Sequence, residues 1–204
     1  MIKIMELMIV NYHYVGNEDE YKSGIYPVSL FNFGHQLDLI GEQYSFISER
    51  DLVAAIEKRG SLPDKSCLVT FDDNLKCQYT EAIPVLKKKN IPAVFFTFTE
   101  PYESKRASVF HKIHFVMSRA PADQLLNKVM ENYSNRHHFD FDWSKIDQEK
   151  IFGWYRYDSE NSAKFKYFLN YLLDKKEAGE IVNDLFIEYY PKGEENFCRE
   201  WYMS

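Results

Sequence analysis

Glycine is scarce in this chain, eight among 204 residues, and no Gly-rich stretch has the pattern of a phosphate-cradling loop. That counts against a P-loop nucleotide enzyme. Cysteine is scarcer still. Cys67, Cys77 and Cys198 cannot all pair with one another, and their spacings fit no zinc-site pattern. Reduced thiols in a cytoplasmic protein are the expectation that follows. No run approaches the roughly 18 apolar residues of a membrane span. The apolar residues 1–10 are few and lack a small-residue cleavage site, so they read as a first core strand and not as a signal peptide. Cations are outnumbered, 25 Lys and Arg against 31 Asp and Glu, for a net charge of −6. A nucleic-acid or anionic-membrane partner is therefore disfavoured. Repeats and low-complexity tracts are absent.

Aromatic residues are plentiful: 15 Tyr, 16 Phe and 3 Trp, 17% of the chain. Core filling is the first expectation for most of them, with sugar-stacking faces as the alternative. The length suits one domain, with room for an insertion.

Residues 4–12 read as a buried strand with His13 at its end, and the Gly/Pro-punctuated residues 15–28 read as a loop. Ser29 is placed to cap a helix carrying Phe33, Leu37 and Ile40 on one face. A short strand over 44–47 precedes Ser48-Glu49-Arg50-Asp51, a capping box. Its helix is expected to reach Arg59, with Leu52, Ala55 and Ile56 inward and Gly60 as the stop. Residues 67–71 form the next strand. A helix over 80–89 shows Ala82, Ile83 and Leu86 as its stripe, with Lys87, Lys88 and Lys89 suiting the dipole of its last turn. Residues 92–98 are apolar almost throughout and read as a third strong strand. Continuous apolar strands alternating with amphipathic helices imply a parallel sheet covered on both faces. Beyond residue 100 the rhythm becomes helical, over 108–134 and 160–190. The division expected is an α/β half over 1–100 and a helix-rich region over 101–204.

The chemistry concentrates at Leu68-Val69-Thr70-Phe71-Asp72-Asp73-Asn74. An apolar strand here delivers two adjacent carboxylates to the rim of a sheet, where parallel α/β folds collect functional groups. Like charges side by side are costly, and such pairs persist where a cation sits against them. Neighbouring residues on an extended chain point in different directions, which suits Asp72 and Asp73 to different tasks. His13, after the first strand, can share their rim. His111 and His114 lie three apart on a predicted helix and share a face. They fall outside the sheet rim, so a structural or surface role is the expectation. His137 and His138 read as loop histidines.

Thr70-Phe71-Asp72-Asp73 resembles the first motif of the polysaccharide deacetylases, the NodB-type carbohydrate esterases. Asn11-Tyr12-His13 resembles the Tyr-His that ends the family's first strand. The stretch from Glu81 to Lys87, then Ile91-Pro92-Ala93-Val94-Phe95-Phe96, looks like the helix and strand that follow the motif. The resemblance covers roughly residues 8–98. It implies a partial NodB-like distorted (β/α) barrel with a helix-rich insertion in the C-terminal half. It also implies hydrolysis of N-acetyl groups on a saccharide or glycan, with Asp72 as general base and Asp73 as ligand of a divalent metal, usually zinc. His13 would contact substrate at the same rim.

Three departures accompany the resemblance. Asn74 stands where the family usually has Gly, and Asn tolerates positive φ better than most residues. No His-Ser/Thr-x-x-His pair is present to complete the metal site. The later Arg motif and Leu-x-His motif are missing too. Tyr202-Met203-Ser204 resembles the lead-in to the histidine motif in members with a helical insertion. The expectation is an N-terminal portion of a longer deacetylase, binding metal weakly or not at all and weakly active or inactive alone. Uncovered sheet edges then imply self-association or reliance on a missing C-terminal segment. The rival readings are a non-catalytic saccharide-binding or regulatory remnant, and an unrelated α/β metal-dependent phosphotransfer protein.

Overall fold

A computed structural model describes residues 5–20 and 24–203. Ile4 and Ser204, both included in the sequence reading, lie outside them, as do residues 21–23 of the expected loop. The chain divides into two compact units. The first comprises residues 1–20, 26–106 and 195–204, and the second residues 21–25 and 107–194.

The first unit is built on a parallel sheet. Strand β3 (Lys65–Phe71) is its spine, paired with β1 (Glu6–Tyr12) along its whole length. Its other side carries β2 (Ser45–Phe46) and then β4 (Ala93–Phe95). From Ser66 to Phe71 every residue of β3 is buried, as its unbroken small and apolar sequence requires. Helix α1 (Leu30–Gly41) starts where Ser29 accepts a hydrogen bond from Asn32 N, and it buries Phe33 and Leu37. These pack with Tyr12, Val15, Cys67, Val69, Phe71, Ala82 and Leu86 in one core. Tyr12 meets Phe33 edge-on at 4.9 Å, and Phe71 stacks on Phe95 at 4.8 Å.

Several elements depart from the sequence reading. Helix α2 (Glu49–Ile56) has the expected capping box but stops three residues early. Lys58 turns left-handed at φ 60°, and both Arg59 N and Gly60 N donate to Ala54 O. Ile56 points outward, 70% exposed, and Leu52 and Ala55 are only half-buried. The expected helix over 80–89 begins as a π-helical turn (Gln78–Ala82) that runs into α3 (Ile83–Lys89), with Asn90 as a left-handed cap. Strand β4 keeps three residues of the seven expected, and Phe96 beyond it is exposed. Among the described residues the sheet is covered on both faces at β3, from Ser66 to Phe71, and less fully elsewhere. Along β1 the residues alternate: Met8 and Val10 join the core while Leu7 and Ile9 face outward.

The short helix α4 (Glu100–Glu103) completes this part of the first unit. The second unit is helical: α5 (Val109–Met117), α6 (Ala122–His137), α7 (Gln148–Trp154), α8 (Glu160–Tyr167) and α9 (Lys175–Tyr189). The last helix, α10 (Glu194–Trp201), leads back into the first unit. Helix α6 outruns its expected end and takes in His137, whose ring meets the Glu177 carboxylate at 2.6 Å. His138 is the left-handed cap. His111 is buried, and its ring lies 6.3 Å from that of His114. Within the second unit, Lys112 is buried in an ion pair with Glu194 at 2.7 Å, and burial pushes Tyr155 up to about 12. No helix among the described residues is long and apolar enough to cross a membrane.

Candidate functional site

Residues 12 and 71 are the last partners of the β1–β3 ladder. One step further, His13 and Asp72 leave the two strands side by side, with Asp72 N donating to Tyr12 O at 3.1 Å. The chain then reverses through two consecutive left-handed residues, Asp73 at φ 75° and Asn74 at φ 57°. Asp and Asn are the side chains that tolerate this region best, so the turn survives without the glycine usual at position 74. The Asn74 side-chain amide donates to the Tyr102 hydroxyl. Behind the turn, Met203 N donates to Asn74 O at 3.0 Å, Leu75 bridges Tyr202, and Lys76 Nζ donates to Arg199 O at 3.1 Å.

The structure brings the three sequence-identified side chains together. His13 Nε2 lies 3.9 Å from Asp72 Oδ2 and 3.7 Å from Asp73 Oδ2. The side chains are one-third to one-half exposed, so attraction between a protonated His13 and these carboxylates is screened and modest. Asp72 has a firmer partner in Asn11, whose Nδ2 donates to Oδ2 at 2.8 Å. The orientation of the Asn11 amide is set in turn by Thr70. The Thr70 hydroxyl lies 3.0 Å from both Val10 O and Asn11 Oδ1 and can donate to either, which leaves the nitrogen end for Asp72.

Asp73 and His13 offer an oxygen and a nitrogen donor, chemistry that zinc accepts. Catalytic zinc takes three protein ligands, however, and among the described residues no group of three or more His, Cys, Asp or Glu side chains is disposed to hold an ion. The residues present do not amount to a catalytic zinc centre.

Gln78 escaped the sequence reading. It is fully buried, and its Nε2 donates to Asp72 O at 2.5 Å and to His13 O at 2.9 Å. The signal was available, because Gln78, Ala82 and Leu86 repeat every four residues on one helical stripe. A glutamine in line with two core residues must find buried partners. Tyr102 and Met203 left no comparable trace, since their contacts with Asn74 join distant segments of the chain.

Fold and rim together define a class: an α/β protein with a carboxylate pair at the C-terminal end of its central parallel strand, where such folds keep their ligands. Residues 59–138 match the family model described as polysaccharide deacetylase, the same family that the motifs of the sequence resemble. It is 27% identical over 143 residues to poly-β-1,6-N-acetyl-D-glucosamine N-deacetylase of Staphylococcus epidermidis, across 64% of this chain and 48% of that protein. The chain therefore spans about half the length of the curated relative it matches. Among solved structures it is similar to IcaB from Ammonifex degensii, at 33% identity and a TM-score of 0.43 over 48% of this chain and 41% of that one. A de-N-acetylase from Aggregatibacter actinomycetemcomitans is 26% identical with a TM-score of 0.38, over 44% of this chain and 36% of that one.

Proposed function

We propose that this chain provides the carboxylate rim of an N-deacetylase acting on acetylated amino-sugar polymers. The observation that carries the reading is the left-handed turn at Asp73 and Asn74 inside the family-matched segment, with His13 beside both carboxylates. The parallel sheet would be part of a NodB-like distorted barrel, with residues 101–204 largely a helix-rich insertion.

In this reading Asp72 is the general base. Its carboxylate, held by Asn11, accepts a proton from water as the water oxygen adds to the acetamide carbonyl carbon. Cleavage of the C–N bond, with that proton passed on to the departing nitrogen, then yields acetate and a free amine. His13, half-exposed beside the pair, would contact the substrate. Asp73 would be one ligand of a divalent metal, zinc in the family the sequence resembles. Among the described residues no third ligand is grouped with Asp73 and His13, so the chain alone would bind the ion weakly and turn over slowly or not at all.

The test is acetate release from poly-β-1,6-N-acetylglucosamine, with and without zinc, alongside a zinc titration. Acetate release well below that of a full-length deacetylase, and none from Asp72→Asn, is expected. Release that is unchanged in Asp72→Asn would refute the role of Asp72, and tight stoichiometric zinc binding would refute the weak site. The shortfall of donors also favours a second reading, a saccharide-binding remnant without turnover. Binding of the polymer with no acetate released under any condition selects it.

A further inference from the structure

Gln78 occupies a position that core packing alone does not explain. Beyond Tyr12 and Phe71 the strand ladder has ended, and the two chains diverge into a long loop and a tight turn. The carbonyl oxygens of His13 and Asp72 need donors there, and the Gln78 carboxamide supplies both. Two carbonyl acceptors facing one end of the amide fix that end as nitrogen, because an oxygen there would be repelled. Oε1 is thereby left buried with no hydrogen-bond partner. Native interiors seldom keep such an atom without a reason. Gln78 also opens the π-helical turn, a local widening that recurs at functional sites. An alanine or leucine would fill the same core position and leave no orphaned atom.

We propose that Gln78 is a positioning residue: its two side-chain N–H groups clasp the turn bearing His13 to the turn bearing Asp72 and so set the spacing of imidazole and carboxylates. The proposal rests on reading that rim as the functional site. Gln78 touches no reacting group itself and acts through the two backbone carbonyls.

Hydrogen exchange on the full chain tests the clasp. In the wild-type protein the Gln78 side-chain protons are expected to exchange at least about 100-fold more slowly than those of an exposed glutamine, as buried and doubly bonded protons do. Exchange at the exposed rate overturns the proposal with no variant needed. In Gln78→Met, which keeps length and removes the donors, the Asp72 amide is expected to lose about ten-fold or more of its protection. The amides of Ile47, bonded to Cys67 O, and of Phe96, bonded to Phe71 O, are expected to keep theirs. Equal loss at all three amides marks a general packing residue and refutes positioning, as does no loss at all. Zinc-induced shifts of the His13 and Asp72 amides, readable even for weak binding, judge the rim separately. Shifts that persist unchanged in Asp73→Asn, or that never occur in the wild type, refute the rim as a metal-linked site, and the exchange result still decides the clasp.

Discussion

At Asp73 the proposed function and stability pull in opposite directions. A non-glycine residue at φ 75° carries backbone strain, followed here by a second left-handed residue at Asn74. Asn74 has a structural return, with a side-chain bond to Tyr102 and a carbonyl bond from Met203. The Asp73 carboxylate faces His13 at 3.7 Å, and at one-third exposure that attraction is screened. Replacing Asp73 by glycine is expected to relieve about 1 kcal/mol of backbone strain and raise stability by up to that amount, because glycine enters this region without a Cβ penalty. The same change removes the proposed ligand. Urea unfolding of Asp73→Gly decides the matter, and a lower midpoint with an unchanged slope would show that the carboxylate contributes more than its backbone costs.

Helix α2 is held more by its start than by its packing. It buries no residue, yet Ser48 and Asp51 form a complete capping box, with Ser48 N donating to Asp51 Oδ2 at 2.8 Å. Hydrogen bonds from the Ser48 hydroxyl, and then from its backbone N–H, hold the Asp51 carboxyl below the usual carboxylate range. A carboxyl depressed in the folded state stabilises above its unfolded pKa of about 3.9, and that contribution fades as pH falls through the lower folded value. Ser48→Ala is expected to lower Tm at neutral pH by about 2–4 °C. The deficit should shrink in acid, where protonation of Asp51 weakens the hydroxyl-to-carboxylate bond in the wild type as well, and a deficit constant down to pH 2 would contradict this account. The box was legible in the sequence because capping is a local code, as was Ser29 before α1 and the unbroken apolar run of β3. The outward turn of Ile56 was not legible, because apolar spacing shows that a stripe exists and says nothing about whether an element lies over it. The same distinction governs the site. His13, Asp72 and Asp73 meet because each follows one of two adjacent parallel strands, which the strand pattern implies. The Asn11–Thr70 contact needs the exact register of those strands, and the Asn74 contacts need the return of residues 202–203, so neither could be read from spacing.

At the scale of the whole molecule, the sheet of the first unit is an open one. Among the described residues β1 pairs with β3 alone, and Met5, Leu7 and Ile9 form a period-two row on its outer face, 56%, 41% and 58% exposed. A strand edge next to exposed aliphatic side chains is a template for another strand. The magnitude is limited. Covering six such half-exposed side chains, three from each of two copies, contributes roughly 6 kcal/mol at about 1 kcal/mol apiece, part of it lost to the cost of association. That leaves a dimer with a Kd of roughly 0.1–1 mM. We therefore expect sedimentation of this chain to be monomeric at low micromolar concentration and to shift toward dimer at several hundred micromolar. Ile9→Lys, which places a charge in the middle of the row on an outward-facing side chain, should hold the monomer across that range while leaving Tm nearly unchanged. A wild type that stays monodisperse at millimolar concentration would show that the row is covered or blunted, and a variant that still dimerises would place the contact elsewhere on the chain.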